Sequence, residues 1–366
     1  MSATAGAPEI HLFEPSGYAG VFQHTCRLAV ALSQRGYPVT LHTGHEHESV
    51  TVDGVTLCEC VWWPKPFGTS RIGAAVRKAA IARKLAIHTV PHLTRTVAAD
   101  SILHVQGVAA TGAINLVLFV AARRAGLRIV YSPHDVFSRR GVVDGTLLKL
   151  GYRYPHAVIV HSQADQRRLR TEGVRADVSP LVQMVPPPTE QQQQTWRRKW
   201  CADGTDSVVL FAGFIRPEKR VDVLVESARN WPPGRRLAVV GPDRGGWARC
   251  NDLARTYAVN VAATLEFVDL TEFTAAIAAA DLVVVPSERA SQSGVLAVAR
   301  ALRTPSVAAD VGGMGELASH TFAAGDADDL SRAICAVLDD GVPPAPSSAD
   351  IDEAVAVHLS AYGLHS

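Results

Sequence analysis

Two cations on a short loop, Arg216 and Lys219, are the first residues that could do chemistry. They lie in the segment GFIRPEKRVDVLVESA, where an apolar run ends at Gly213 and an amphipathic helix is expected from Val221. Cations at the end of a strand can hold a diphosphate, because each charge-assisted hydrogen bond contributes about 1.5–3 kcal/mol. The alternative interpretation is a solvated turn.

A second segment, PSERASQSGVLAVARALRTPSVAADVGG, predicts an anion site. The stretch SQSG precedes a predicted helix over Val295–Leu302, and the backbone N–H groups at a helix start bind anions. Gly312 and Gly313 then permit a close backbone turn. Simple capping by serine would explain the helix start, but it leaves the glycine pair unexplained.

Further candidates follow two predicted strands. His134 and Asp135 end the run RIVYSPHD, where a parallel sheet delivers side chains to a site, and an Asp partner can fix the tautomer of an imidazole. A purely structural histidine is the alternative. Gly17 and Gly20 would let the loop EPSGYAG approach a phosphate, although their G-x-x-G spacing differs from the dinucleotide fingerprint G-x-G-x-x-G.

The sequence predicts no metal site. Asp326–Asp328 (DAD) opens a predicted helix and is interpreted as its cap. His42–Glu48 (HTGHEHE) is interpreted as a polar loop. The six cysteines are scattered without a C-x-x-C pair, so they indicate neither a zinc site nor a disulfide framework, and a reducing cytoplasmic location is expected.

The alternation of apolar strands and helices predicts an α/β protein with two consecutive Rossmann-like sheets and a cleft between their carboxyl ends. Pro186–Pro188 is interpreted as a stiff connector. We therefore expect domains over residues 1–187 and 188–345, and a helix within 346–366 that packs back on the first domain. The predicted strands are IHLF, YPVTLHT, SILHVQG, RIVYSPHD and AVIVHS in the first domain, and SVVLFAGFI, RRLAVVG, LEFVD, DLVVVPS and SVAAD in the second.

Charge is distributed unevenly along the 366 residues. Residues 1–187 have 20 Lys and Arg against 12 Asp and Glu, and the remainder has 16 against 23. Surface drift and contact with an anionic partner both explain this difference. The basic amphipathic helix predicted at Arg71–His88 leaves the same two alternatives open: a solvated face, or peripheral contact with a membrane or an anionic acceptor. No nucleic-acid partner is expected.

The segments GFIRPEK, LVVVPS, SQSGV and DVGGMGEL, in this order, resemble the nucleotide-sugar half of family 4 glycosyltransferases, which have the GT-B fold. The segment GYAGVFQHTCRLAVALSQRGYPVTLHT and the His134–Asp135 pair look like the acceptor half. The resemblance implies transfer of a sugar, with retention of configuration, from a nucleotide diphosphate-sugar to a small-molecule, glycan or lipid-linked hydroxyl. It implies neither a metal nor a further cofactor.

The resemblance also implies which residues act. The catalytic residues would be His134, Asp135, Arg216 and Lys219. The donor-binding residues would be Gly17, Gly20, Gly213, Arg216, Lys219, Glu288, Gln292, Ser293, Gly294 and Val295.

One departure concerns the E-x(7)-E motif of many family members, whose glutamates fall at Ala290 and Val298. A branch with QSGV explains this departure, and Glu288 or Arg300 could replace the lost carboxylates. A non-catalytic GT-B-like accessory protein is the alternative.

Overall fold

The computed structural model forms two compact units, Met1–Met184 with Asp350–Ser366, and Val185–Ala349. The boundary between the two units therefore falls after residue 184, three residues before the boundary expected at 187. The residues that the structure describes are 8–64, 71–107, 111–136, 142–201, 206–341 and 351–364.

The N-terminal unit contains a seven-stranded parallel sheet in the order β3-β2-β1-β4-β5-β6-β7. Its strands are β1 (Ile10–Phe13), β2 (Val39–Gly44), β3 (Thr56–Val61), β4 (Ile102–Gln106), β5 (Arg128–Ser132), β6 (Ala157–Val160) and β7 (Asp177–Val178). Its helices are α1 (Ala19–Gln34), α2 (Arg71–Lys84), α3 (Val90–Thr96), α4 (Gly112–Arg124), α5 (Val142–Gly151) and α6 (Gln163–Thr171). A π-helical turn, Leu85–Thr89, joins α2 to α3.

The C-terminal unit contains a six-stranded parallel sheet in the order β10-β9-β8-β11-β12-β13. Its strands are β8 (Ser207–Ala212), β9 (Arg235–Val240), β10 (Val261–Thr264), β11 (Leu282–Val285), β12 (Ser306–Ala309) and β13 (His320–Phe322). Its helices are α7 (Glu190–Trp200), α8 (Val221–Ser227), α9 (Trp247–Thr256), α10 (Leu270–Ala279), α11 (Gly294–Ala301) and α12 (Ala327–Asp339).

The last helix, α13 (Ile351–Tyr362), belongs to the N-terminal unit. It packs against α1 and β6, and it buries Val355, Leu359 and Tyr362 in the same core as β1 and β2. Buried hydrogen bonds add to this apolar contact, since Tyr362 Oη lies 2.7 Å from His104 Nδ1 on β4. The chain therefore completes its first unit only with its last helix.

Central strands of both sheets are buried along their whole length because helices cover both faces of a parallel sheet. All residues of β1, β2, β4 and β11 are buried, as expected for such strands. The polar helix α7 is anchored differently, by two buried indoles, and Trp196 Nε1 donates to Glu272 on α10 at 2.9 Å. Among the described residues, no helix has both the length and the apolar character needed to cross a bilayer.

The predicted α/β fold with two Rossmann-like sheets is confirmed. One predicted strand, LEFVD, is wrong: β10 lies just before it at Val261–Thr264. The Asp269 side chain accepts a hydrogen bond from Glu272 N at 2.8 Å and caps α10, so this segment leads into a helix. The strand predicted over RIVYSPHD also ends earlier, at Ser132, so His134 lies in the loop that follows β5.

Candidate functional site

In the C-terminal unit, the carboxyl end of β8 packs closely against two neighbours. Gly213 has φ 123°, and a Cβ atom at Gly241 would lie only 2.1 Å from its carbonyl oxygen. A Cβ atom at Gly213 itself would lie 3.9 Å from Val295 Cγ2. The end of β8 therefore adjoins the first turn of α11.

The two predicted cations lie on the loop that follows Gly213. Arg216 keeps 44% of its side chain exposed, packs on the Phe214 ring at 5.1 Å, and approaches Glu218 at 3.9 Å. Lys219 is half-buried and ends a 3₁₀ turn over Pro217–Lys219. An exposed guanidinium beside a half-buried ammonium at a strand end is an arrangement that can hold a polyanion.

A backbone hydrogen bond joins this loop to the one after β11, because Glu288 N donates to Glu218 O at 3.2 Å. A third cation, Arg220, reinforces the junction. It has left-handed φ (52°), and it contacts Asp222 at 3.1 Å and Glu288 at 3.7 Å. The Glu288 carboxylate thus faces a cation of its own unit. Sequence reasoning did not single out Arg220, although its place directly after Lys219 was a signal.

The start of α11 lies next to the same junction. The helix begins at Gly294, one residue before the predicted position, and the Ser293 side chain caps it by accepting from Leu296 N at 3.4 Å. The first N–H groups of an α-helix have no acceptor within the helix, and the helix dipole favours negative charge there. Gln292 is half-buried just before the cap. Arg300 lies about 9 Å further along the helix axis, at its other end.

The positions of the missing glutamates are apolar and buried. Ala290 is 6% exposed and Val298 is 1% exposed. The glycine pair packs against this loop: Gly313 N donates to Ser291 O at 2.9 Å, and a Cβ atom at Gly312 would lie 2.0 Å from Ala290 O. Gly312 also has φ 56°, so two independent constraints favour glycine there. A carboxylate at the position of Val298 would be buried away from water, and its desolvation would be strongly unfavourable.

In the N-terminal unit, the glycine loop after β1 is organised by a buried carboxylate that the sequence analysis missed. Glu14 is 3% exposed, and its oxygens accept from Gly17 N at 2.7 Å and Ser16 N at 3.2 Å. Burial raises the pKa of Glu14 to about 7, against the opposing effect of these hydrogen bonds. Gly17 has φ 72°, and a Cβ atom there would lie 2.7 Å from His47 Cβ.

A second carboxylate holds the start of α1. Glu48 accepts from Ala19 N at 2.8 Å and from Gln23 Nε2 at 3.0 Å. The Gly20 carbonyl accepts from Gln183 Nε2 at 3.1 Å. Gly17 therefore lies in a hydrogen-bonded turn that leads into α1, and Gly20 lies in the first turn of that helix.

His134 occupies a strained position in the loop after β5. Its φ of 55° is uncommon for a residue with a side chain. Its Nε2 lies 2.6 Å from Gln106 Oε1 at the end of β4, so the amide oxygen accepts the Nε2 proton and fixes the tautomer. Asp135 follows and is half-buried. Gln106 is therefore a candidate functional residue, although no sequence motif pointed to it.

Two further histidines surround His134. Ring centroids of His24 and His161 lie 5.0 Å and 4.6 Å from that of His134. Both donate through Nδ1 to backbone carbonyls, His24 to Val182 at 2.9 Å and His161 to Ser179 at 3.1 Å. Burial, and then the neighbouring imidazoles, lower the pKa of His134 well below its usual value. The ring is therefore neutral near pH 7.

Two predictions about metals are tested by local geometry. The cap interpretation of DAD is confirmed, because the Asp326 side chain accepts from Asp328 N at 3.0 Å and Asp329 N at 2.9 Å. The loop interpretation of His42–Glu48 is wrong at its start: β2 extends through Gly44, and His42 is 3% exposed.

The predicted site residues thus form two groups, one in each unit. The first comprises Gly213, Arg216, Lys219, Glu288, Gln292, Ser293, Gly294 and Val295, which lie at the ends of β8 and β11 and the start of α11. The second comprises Gly17, Gly20, His134 and Asp135, which lie in the loop after β1, the first turn of α1 and the loop after β5.

Two models of known protein families match this chain, one in each half. The model described as Glycosyltransferase Family 4 matches residues 18–182, and the model described as Glycosyl transferases group 1 matches residues 206–340. The chain has the GT-B fold and carries a glycosyltransferase family domain in each half.

Curated relatives with this type of domain are similar over part of their length. A D-inositol 3-phosphate glycosyltransferase of Jonesia denitrificans is 33% identical over 150 residues, which are 38% of this chain and 35% of that protein. A second one, from Catenulispora acidiphila, is 36% identical over 175 residues, which are 43% of this chain and 40% of the relative. The similarity thus spans less than half the length of each relative.

Solved structures with the GT-B fold are similar over nearly the whole chain. Sucrose-phosphate synthase from Thermosynechococcus elongatus has a TM-score of 0.71 at 18% identity, covering 97% of this chain and 96% of that one. Anabaena HepE in complex with UDP has a TM-score of 0.65 at 17% identity, covering 97% and 95%. At these identities the likeness establishes the fold alone.

Proposed function

We propose that this chain transfers a sugar from a nucleotide diphosphate-sugar to an acceptor hydroxyl, with retention of configuration and without a metal at the diphosphate. The observation that carries the proposal is the junction in the C-terminal unit. There the Arg216–Lys219 loop is hydrogen-bonded through Glu218 to Glu288, and Gly213 adjoins Val295 in the first turn of α11. The loop that carries both cations therefore lies next to the start of α11.

A diphosphate is the ligand that best fits this junction. Two phosphates carry charge that a guanidinium and an ammonium neutralise, and a helix start supplies N–H donors without counter-charge. These groups would also stabilise the charge that develops on the leaving diphosphate. Loss of one such preorganised donor typically costs about 10²–10³ in rate.

The proposed reaction breaks the bond between the anomeric carbon and the phosphate oxygen while the acceptor oxygen bonds to the same carbon. The acceptor hydroxyl proton passes to an oxygen of the departing diphosphate, which serves as the base. Attack from the face of the leaving group gives retention. Because the diphosphate accepts the proton, no protein nucleophile is needed.

His134 is proposed to contact the donor sugar near the reacting carbon, and Asp135 to support the same loop. The Gln106 amide oxygen accepts the Nε2 proton of His134, which fixes the tautomer and orients the neutral ring. The neighbouring His24 and His161 rings hold it in its strained backbone position. We regard Gln106, His24 and His161 as positioning residues.

The acceptor is proposed to be a small hydroxyl-bearing molecule. The names of the curated relatives support this class, since they describe glycosyl transfer to an inositol phosphate. Solved structures of HepE in complex with UDP and with UDP-glucose support a nucleotide-sugar donor.

The experiment is a turnover assay with UDP-, GDP-, ADP- and dTDP-sugars against polyols and polyol phosphates, in excess EDTA. Release of nucleoside diphosphate is measured, and NMR reports the anomeric configuration of the product. We expect acceptor-dependent release in EDTA, with the donor configuration retained. Turnover that requires added manganese would contradict the metal-independent part. Binding of a nucleoside diphosphate without any turnover would favour the accessory-protein alternative.

A further inference from the structure

Four side chains of the N-terminal unit, outside the site described above, form a cluster with the composition of a metal centre. They are His42 on β2, Cys58 and Cys60 on β3, and His92 on α3. Each offers one ligand atom, and these four atoms all lie within 4.8 Å of one another. Cys60 Sγ lies 3.6 Å from His42 Nδ1, and Cys58 Sγ lies 3.8 Å from His92 Nε2.

The fold itself produces this convergence. Residues two apart in a strand point to the same face of a sheet, so Cys58 and Cys60 share a face of β3. His42 and Cys58 are register partners in the parallel β2–β3 pair, which shifts register directly after them, and Cys60 Sγ also contacts His42 Nδ1. The intervening Glu59 contacts His47 at 2.9 Å instead. The α3 helix then brings His92 to the cluster from elsewhere in the sequence.

Two sulfur–nitrogen separations in the cluster are close to the edges of a tetrahedral zinc site. With zinc–sulfur bonds of about 2.3 Å and zinc–nitrogen bonds of about 2.0–2.1 Å, the edge between a sulfur and a nitrogen ligand is about 3.5 Å. The observed separations of 3.6 Å and 3.8 Å differ from that edge by a few tenths of an ångström. Side-chain rotation alone can supply such a shift.

A chain of polar groups behind His42 supports the same interpretation. His42 Nε2 lies 3.0 Å from His11 Nδ1, and His11 Nε2 lies 3.3 Å from a Glu9 carboxylate oxygen. Thr40 Oγ1 in turn donates to Glu9 at 2.8 Å. If His42 donates its Nε2 proton to His11, its Nδ1 lone pair faces Cys60. Metal-binding histidines typically have their second nitrogen oriented in this way.

We propose that His42, Cys58, Cys60 and His92 bind one zinc ion. Two thiolates and two imidazoles within 4.8 Å of one another are a ligand set that zinc prefers. Four protein ligands leave no open position, so the ion would be structural. It would fasten α3 to β3, the edge strand of the sheet, whose side chains are mostly exposed.

A disulfide is a poorer explanation of the two cysteines. Residues two apart in a strand have Cα atoms about 6.6 Å apart, near the upper limit that a disulfide spans. Both thiols are free in the structure. A disulfide would also leave the two histidines without a role.

The test measures metal content and does not depend on catalysis, so its failure is distinguishable from failure of the proposed function. The full chain is produced in zinc-supplemented medium, washed with a weak chelator and analysed by plasma mass spectrometry. We expect close to one zinc per chain, and background zinc in the Cys58→Ser/Cys60→Ser variant. The matched controls Cys335→Ser and His88→Ala, which lie outside the cluster, should retain the metal.

Two further measurements test the proposal even if the Cys58→Ser/Cys60→Ser variant fails to fold. His92→Ala changes a half-exposed residue and should fold, yet weaken zinc binding at least about tenfold. Cobalt added to metal-stripped chain should give thiolate-to-cobalt charge-transfer absorption, and the double cysteine variant should lack it. Background zinc in the parent chain together with no thiolate–cobalt band would overturn the proposal, as would unchanged zinc content in the cysteine variant.

Discussion

Gly294 is the first residue of α11, and on our proposal the donor diphosphate lies against its backbone. A side chain there would push a phosphate away from the helix N–H groups. Gly294 has helical φ, so a substituent adds no backbone strain, and glycine is itself a poor helix former.

We therefore expect Gly294→Val to reduce transfer at least about 10²-fold, with little change in melting temperature. Donor turnover and thermal unfolding are measured on the same preparation. Ala301→Val, an exposed position at the other end of α11, is the matched control and should retain activity. An active enzyme that is indifferent to Gly294→Val would refute the placement of the phosphates. The parent chain should be active with alanine at position 290, so that restoring a glutamate there by Ala290→Glu is not required for activity.

Among the elements, the loop of the glycine pair offers a separate test. Gly312→Ala would place Cβ about 2.0 Å from Ala290 O at a left-handed φ of 56°. The Ala290–Ser291 loop must then move, and we expect a loss of at least about 2 kcal/mol in the free energy of unfolding, together with weaker nucleotide binding.

Gly341→Ala is the control for this prediction, because Gly341 has φ 68° but a Cβ atom there would meet no described atom within 4 Å. It should cost only the backbone strain, about 1 kcal/mol. Denaturant unfolding compares the two variants. Equal losses in both would show that the contact with Ala290 is unimportant.

Elements with strong apolar runs were predictable from the sequence, and weaker ones were not. β1, β9 and β11 stand out because parallel strands are covered on both faces. β3 was missed since it is an edge strand with few buried residues, and β10 because Val261–Thr264 is short and partly exposed. The motif around Arg216 marked its loop correctly, whereas Glu14 and Gln106 are identifiable only by their burial and their partners.

The metal-type cluster shows a similar limit. Its four residues come from two strands and a helix, and C-x-C in a strand differs from the spacings by which zinc sites are recognised in sequences. Parallel pairing of β2 with β3 supplies the missing proximity. Only the tertiary structure brings His92 to the same place.

At the scale of the whole molecule, histidines whose pKa is lowered by burial make stability depend on pH. Burial lowers the pKa of His24, His104, His134, His161 and His358. Unfolding exposes them, and below their ordinary pKa of about 6.5 the unfolded chain binds more protons. Their contribution to stability is therefore present above pH 6.5 and is lost as the pH falls.

We expect the free energy of unfolding to fall steeply from pH 7 to pH 5, by up to about 1.4 kcal/mol per pH unit for each histidine. Glu14 opposes this trend, because its raised pKa of about 7 favours the folded state at lower pH, but it is one group against several histidines. Denaturant unfolding across this range is the measurement. A stability that is flat or rises on acidification would contradict the burial of these rings in solution.

The central claim, that a nucleotide diphosphate binds at Arg216 and Lys219, is tested most directly by titrating UDP, GDP, ADP and dTDP into the parent chain and the Arg216→Ala/Lys219→Ala variant by calorimetry. Lys199→Ala/Arg332→Ala removes two exposed cations elsewhere in the same unit and is the charge-matched control. We predict that at least one nucleotide binds the parent, and that binding weakens about tenfold or more in the first variant alone, with the melting temperature nearly unchanged. Unchanged affinity in that variant, or equal weakening in both, would contradict the account.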